Sequence, residues 1–567
     1  MTLGAFLRRV GVALLAPLCL SLSSGAALAG PAQFVIININ APNIGLNDPT
    51  PAAPVGGNPG TTLGEQRLNA VKKAAEIWSA RLDSNVPIRI RTQFTPLGAG
   101  VLGSAGPRTV YRDFAGALLP GTWYHSALAK KLAGVDLNPS PAGDDINVNF
   151  SSSFNFYLGL DNKAPPGQPD LVTVLLHEFA HGLGFSQLAS LTTGALFAGF
   201  PDHYNTRLYD TLLGKTWPQM TNAERAASAQ RWGRVVWNGA LVTSGAPSML
   251  LFGSPEARAT SPAGIAGPYQ FGTAAFGPAL GQPDVTAAVV AAVDEANASG
   301  LTTTDGCSAI VNDVAGKVVF IERGTCGFAL KARNASAAGA AAVVIYNNAA
   351  NAAAAPPSMA GNGVDDAFVT APTVSLRRAD GLAILAQVGA VPTPATMFIG
   401  SDEAIRAGTD TSGKVRMYAP SPVVSGSSIS HFDTLAFNNL LMEPSINSDL
   451  THNVKPPFDL TLPLLQDVGW AEPDRDGDGF PDDEDCNPDS DTRPTVVIGG
   501  VDTGVPNSGF GNGCFAADLL ADLKAANTLN HGAYVAAVAQ LTNSWVASGL
   551  YTGREKGSIE NAAARYK

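Results

Sequence analysis

The chain has 567 residues, a formal net charge of −11, 45% hydrophobic residues, five Cys and only seven His. That length allows several domains, and the apolar share is ample for their cores. The acidic balance argues against nucleic acid as a partner, and no stretch after residue 29 is long and apolar enough to span a membrane. Oligomeric state is left open by these quantities.

Residues 1–29 combine Arg8 and Arg9 with an apolar stretch from Val10 to Leu22 and a small-x-small site at Ala27-Leu28-Ala29. This pattern predicts a secretory signal, and hence a product that is extracellular or periplasmic. Cys19 would leave with it. The remaining Cys307, Cys326, Cys486 and Cys514 fall into two local pairs, which in an oxidising compartment predicts two disulfides.

The run Phe34-Val-Ile-Ile-Asn-Ile reads as a buried strand, followed by a Pro-, Gly- and Asn-rich loop over 41–60. Thr62-x-x-Glu65 is a capping box, and Leu68, Val71, Ala75, Trp78 and Leu82 follow helical spacing behind it. Val86 to Phe94 alternates as a strand, and so does Asp145 to Phe150. The next segment, Asp170 to Ser186, is an apolar helix carrying His177-Glu178-x-x-His181, with Asp170 as N-cap and Gly182 and Gly184 at its end. At i and i+4 the two imidazoles lie one above the other, so both can face one ion with Glu178 beside them. This is the pattern of a zinc metallopeptidase helix. In such enzymes the strand before the helix is the sheet edge on which substrate lies, although an ordinary half-buried strand reads identically. The order of elements is α+β.

Zinc requires a third protein ligand. Gln187 occupies the spacing at which metzincin peptidases place it, while Asp202, His203 and Asp210 are near in sequence and chemically able.

From about 263 to 400 the composition shifts to Ala, Gly and Val. This region holds Cys307, Val318-Val-Phe-Ile321, Arg323-Gly-Thr-Cys326-Gly-Phe328, the Ala-rich run into Val343-Val-Ile-Tyr346, and Pro372-Thr-Val-Ser375. It resembles a protease-associated (PA) domain, a non-catalytic lid or recognition module of secreted proteases. A plain α/β spacer is the alternative. Cys307 and Cys326 could close one of its loops.

After it come a strand-like Lys414 to Ala419, Ser427-Ser-Ile-Ser-His431-Phe-Asp433, Leu441-Met442-Glu443-Pro444, and Asp459-Leu-Thr-Leu-Pro-Leu-Leu-Gln-Asp467-Val-Gly-Trp470. With the zinc helix, these blocks resemble the leishmanolysin-type metallopeptidases. The resemblance implies His177, His181 and His431 as zinc ligands, Glu178 as general base and Met442 as the floor of the site. It also implies a metzincin-like α+β peptidase domain, assembled from 31–262 and 401–471 and interrupted by the 263–400 insert, that acts as an endopeptidase on protein or peptide substrates. The family's cysteine framework is missing, so substrate preference does not carry over.

Asp474-x-Asp476-x-Asp478-Gly479-x-x-Asp482-x-x-Asp485-Cys486 spaces short carboxylates around a turn glycine, an oxygen-ligand pattern for calcium. It resembles thrombospondin type 3 repeats, since Pro473 and Pro481 discourage flanking helices; a solvated acidic linker is the alternative. A calcium-binding repeat is therefore expected over 472–514, and a small helical module over 515–567. The competing function is a calcium-stabilised surface adhesin on a relic peptidase fold, which a lost Glu178 or a lost ligand would have favoured.

Overall fold

The computed structural model describes residues 30–566 except 139, 141–142, 299, 390–393 and 528–529, so the expected signal at 1–29 lies outside the described residues. The alternation at Ile88, Ile90, Thr92 and Phe94 is an inward-facing row of a strand inside a small sheet. That sheet contains β1 (Phe34–Asn38), β2 (Ile88–Thr95), β3 (Gly103–Pro107) and β4 (Ile146–Ser151), in the order β1-β2-β4-β3. The first three neighbours are parallel and β3 is antiparallel to β4, with Gly103 opposite Phe150. The sheet edge beside the site is therefore β3, and β4 is an interior strand. Gly103-Ser-Ala-Gly-Pro107 has no β-branched or alternating signature; it is held by backbone pairing with β4 and by Ala105 against the core.

Two helices pack on this sheet. Helix α1 (Leu63–Ser79) starts at the expected capping box, with Thr62 and Glu65 exchanging bonds. Its Trp78 donates from Nε1 to the Leu176 carbonyl at 3.2 Å, which fixes it against α2 (Leu171–Leu183). The same core draws on residues 32–250 and again on 415–470, so two distant stretches fold as one body. Asp467 shows how they are joined: its carboxylate accepts from Trp237 Nε1 at 2.9 Å and from the Leu241 backbone N at 3.0 Å. Lys414 to Ala419, expected as a strand, makes only isolated bridges at Val415, Arg416 and Met417.

The intervening segment forms its own sheet, from β5 (Phe252–Ser261), β6 (Val285–Ala291), β7 (Val318–Glu322), β8 (Ala342–Tyr346), β9 (Thr373–Leu376) and β10 (Thr396–Arg406), in the order β5-β10-β6-β7-β8-β9 with a two- or three-residue strand at either end. Val318 and Phe320 enter one core while Val319 and Ile321 enter the other. Burial on both faces explains why these strands read as unbroken apolar runs. The sheet begins at Phe252 and ends at Arg406, and so extends past the expected limits of 263 and 400. β5 pairs with β10 across Glu256 and Gly400, but its polar, Pro-containing sequence precedes the composition shift. Cys307 and Cys326 are disulfide-bonded, with Cα atoms 5.8 Å apart.

Residues 474–566 form a separate compact unit. A hairpin of β11 (Thr495–Ile498) and β12 (Val501–Pro506) shares one core with α3 (Ala516–Ala526), α4 (His531–Ala547) and α5 (Gly553–Arg565), through Val496, Val505, Leu520, Tyr534, Trp545 and Ile559. The expected boundary between 514 and 515 therefore does not separate a calcium repeat from a helical module, since the hairpin belongs to the helices. Cys486 and Cys514 are bonded, with Cα atoms 5.3 Å apart. Among the described residues, no helix is long and apolar enough to cross a membrane.

Candidate metal centre

Helix α2 is buried along its whole length. Leu171, Val174, Leu175, Leu176, Phe179 and Leu183 anchor it in the core, each contributing about 1.5–3 kcal/mol by leaving water. Asp170 caps the first turn by accepting from Thr173 N at 2.9 Å, and it also meets His452 Nε2 at 2.9 Å. The polar face of this otherwise apolar rod carries His177, Glu178 and His181.

Three imidazoles converge there. His177 Nε2 lies 3.2 Å from His181 Nε2 and 3.2 Å from His431 Nε2. The Nδ1 atom of each ring faces a backbone carbonyl: Leu441 O at 2.7 Å for His177, Phe185 O at 2.8 Å for His181, and Ser427 O at 2.8 Å for His431. A carbonyl only accepts, so each Nδ1 carries the proton and each Nε2 presents a bare lone pair. Burial pushes His177 down to about 3, His181 to about 4 and His431 well below the usual range, so all three rings are neutral. Three neutral acceptors facing one another repel unless a cation lies among them. Tetrahedral zinc with about 2.0–2.1 Å bonds separates its nitrogen ligands by about 3.3 Å, which this donor set matches.

Glu178 stands beside the triad without belonging to it. Its Oε2 is buried and has no hydrogen-bond partner, and burial raises its carboxyl to about 8. The room it occupies exists because residue 103 is glycine: a Cβ there would sit 2.6 Å from Glu178 Oε1. No signal in the sequence marks Gly103.

The turn at Leu441-Met442 closes the site from the second stretch of chain. Met442 is fully buried, and its carbonyl accepts from Phe432 N at 2.8 Å, next to His431. Asp459 holds the same turn through Leu441 N at 2.8 Å and bonds Thr461 N at 2.7 Å. One carboxylate thus fixes the carbonyl that orients His177.

The other third-ligand candidates lie outside the triad. Asp202 accepts from Leu188 N and Asn205 N, each at 2.7 Å, and Asp210 pairs with Arg231 at 2.7 Å. His203 Nε2 is 3.0 Å from Gly184 O, and its ring crosses that of His125 with centroids 4.7 Å apart. The Gln187 side-chain oxygen is buried without a partner, and its backbone N donates to Ser430 Oγ at 3.3 Å.

In the C-terminal unit, Asp474, Asp476 and Asp478 bring carboxylate oxygens within 4.8 Å of one another. The loop winds around Asp474, which accepts from Gly477 N at 2.7 Å and Gly479 N at 3.1 Å. Asp482, expected among the ligands, instead pairs with Arg475 at 2.8 Å, because the arginine two residues into the motif neutralises it. Asp485 stands outside the trio and keeps a buried, unpartnered Oδ2.

Comparison with known proteins bears on parts of the chain. Residues 285–384, which hold β6 to β9, match the PA domain family and form a PA domain within the inserted sheet. Residues 61–237, including the zinc-type helix, match a family described as SPBPB7E8-like. An uncharacterized protein of Schizosaccharomyces pombe, PB7E8.01, is 31% identical over 145 residues, covering 23% of this chain and 25% of that one. An aminopeptidase of Pseudomonas aeruginosa is 53% identical over 58 residues, 10% of this chain and 11% of the relative. The chain thus spans a quarter or less of the length of these relatives. Among solved structures, a zinc aminopeptidase from Bacillus subtilis overlaps 28% of this chain and 35% of its own at 22% identity, with a TM-score of 0.19. The aminopeptidase from Aneurinibacillus sp. strain AM-1 overlaps 35% and 42% at 19% identity, with a TM-score of 0.20. These overlays are too partial to define the overall architecture.

Proposed function

We propose that the chain is a zinc-dependent peptidase that cuts within peptide chains. The observation that carries this reading is the convergence of three bare Nε2 atoms beside a buried, unpartnered carboxylate. His177, His181 and His431 would hold the ion. The chemistry that zinc would supply at such a site is polarisation of a carbonyl and a lowering of the pKa of bound water to about 7. Glu178 would take the proton of the attacking water and return it to the leaving amine, since its buried Oε2 has no other partner. The Leu441, Phe185 and Ser427 carbonyls hold the imidazoles in the required tautomer throughout.

Endopeptidase action is favoured by β3. It ends the sheet order, so its outer backbone groups are available to an extended peptide, and Gly103 brings that edge against Glu178. Such an edge takes a chain continuing in both directions, in keeping with a metzincin-like site. The aminopeptidase names of the partial relatives favour a second reading, removal of N-terminal residues. Profiling cleavage of a peptide library by the purified protein separates the two. Internal cuts abolished by chelation and restored by zinc are expected; stepwise release of N-terminal residues supports the second reading, and no hydrolysis overturns both. The adhesin alternative has no observation behind it.

We further propose that the aspartate loop binds calcium. Asp474, Asp476 and Asp478 crowd like charges, and Asp485 adds an oxygen without a partner. Calcium added to chelated protein is expected to protect residues 474–486 from an added protease. Identical cutting with and without calcium favours a plain linker.

A further inference from the structure

Where the PA insert meets the catalytic unit there is a cleft of about 400 Å³, away from the histidines. Its walls include Arg231, Trp232 and Arg234 from the first stretch of the catalytic unit, Tyr269 from the insert's loop, and Arg377 with Asp380. Two of the three arginines are matched. Arg231 is bonded to Asp210 at 2.7 Å; Arg377 makes a bidentate pair with Asp380, both contacts 2.8 Å, and also reaches Ser421 Oγ. Arg234 is different. Its hydrogen bond goes to a backbone carbonyl, Ala266 O at 3.2 Å. Asp210 and Glu256 attract it from a distance, but those carboxylates are bonded to Arg231 and Arg416, and among the described residues Arg234 itself forms no ion pair.

An arginine stays charged at any physiological pH, so the cluster keeps one guanidinium without a carboxylate of its own, partly buried, on a chain of net charge −11. The fold maintains this arrangement through Gly267. At φ +137°, the backbone of Gly267 lies so close to Arg234 that a Cβ would fall 1.8 Å from Nη2. The cleft also connects to the metal centre by packing. Trp232 meets Tyr418 edge-on with centroids 6.3 Å apart, and Tyr418 N donates to His431 O at 2.9 Å.

We propose that this cleft is a recognition site for an acidic peptide segment, whose carboxylate pairs with Arg234 while its stem packs on Trp232 and Tyr269. The proposal rests on the peptidase reading only in taking the ligand to be a peptide. A planar guanidinium without a carboxylate has a geometry that a Glu or Asp side chain completes in two parallel bonds. The PA insert supplies most of the walls and the catalytic unit the guanidinium, so the cleft between them would select substrates by charge without touching the reacting bond.

The test is binding to the full chain carrying Glu178→Ala, which leaves probes uncut. A fluorescein-labelled peptide with a run of glutamates is compared by anisotropy with its glutamine counterpart. The glutamate peptide is expected to bind at least about tenfold more tightly, as one charge-assisted pair implies. Adding Arg234→Gln should abolish the difference, and adding Asp380→Asn, which frees Arg377, should widen it. A gain in that second variant cannot come from misfolding. Equal binding of the two peptides, or discrimination that survives Arg234→Gln, overturns the proposal. So does Arg234-dependent binding of inorganic phosphate with no preference between the peptides, which would make the cleft a small-anion site. Because no cleavage and no metal enter the measurement, its outcome is independent of whether the zinc centre is catalytic.

Discussion

Glu178→Ala is expected to keep one zinc per chain while losing about 10²–10⁴-fold in turnover. The structure separates the two properties. The three Nε2 atoms that would hold the ion are fixed by carbonyls from Leu441, Phe185 and Ser427, none of which involves Glu178. The Glu178 carboxylate leaves one buried oxygen without a partner, so the architecture depends little on it, and proton transfer is the role proposed for it. Truncation also relieves an uncompensated buried acid, so the variant should be at least as stable as the parent. Metal analysis and turnover on the same preparation check this. Near-normal proteolysis with metal retained removes Glu178 from the mechanism, and metal loss makes it part of the ligand set.

His431→Ala is expected to weaken zinc binding by more than about 100-fold, since even residues that merely orient ligands cost 10–100-fold. Activity should fall with it. Gln187→Ala and His203→Ala should leave zinc content nearly unchanged after dialysis. For His203→Ala the cost falls on stability, about 1–3 kcal/mol, because the Gly184 carbonyl that closes the zinc-type helix loses its partner. Metal stoichiometry of the three variants decides the matter. If His203→Ala empties the site and His431→Ala does not, the ligand set is wrong, and the peptidase unit would be complete before the insert begins.

Part of this arrangement is local and was therefore legible in the chain. A spacing of four residues on a helix places His177 and His181 on one face whatever surrounds them, and Asp170 and Gly184 mark the ends of that helix by backbone requirements within one turn. The Thr62–Glu65 capping box, the alternation of β2 and the two cysteine pairs, separated by 19 and 28 residues, are of the same kind. The PA insert was visible because both faces of its sheet are buried, which forces long apolar runs.

What only the tertiary structure decided involves partners distant in sequence. His431 lies 254 residues from His177 and entered the reading through a family resemblance; in space, the returning chain sets the two nitrogens 3.2 Å apart. The sheet edge passed from β4 to β3 because backbone hydrogen bonding holds a Gly-, Ala- and Pro-containing segment with no pattern of its own. Gly103 acquires its meaning from a side chain on another element, and β5 joined the insert through pairing with β10, more than a hundred residues on. Periodicity and capping are properties of a few successive residues and survive translation into sequence. Edge, register and the convergence of ligands depend on which distant surfaces meet, and that is settled only when the core closes.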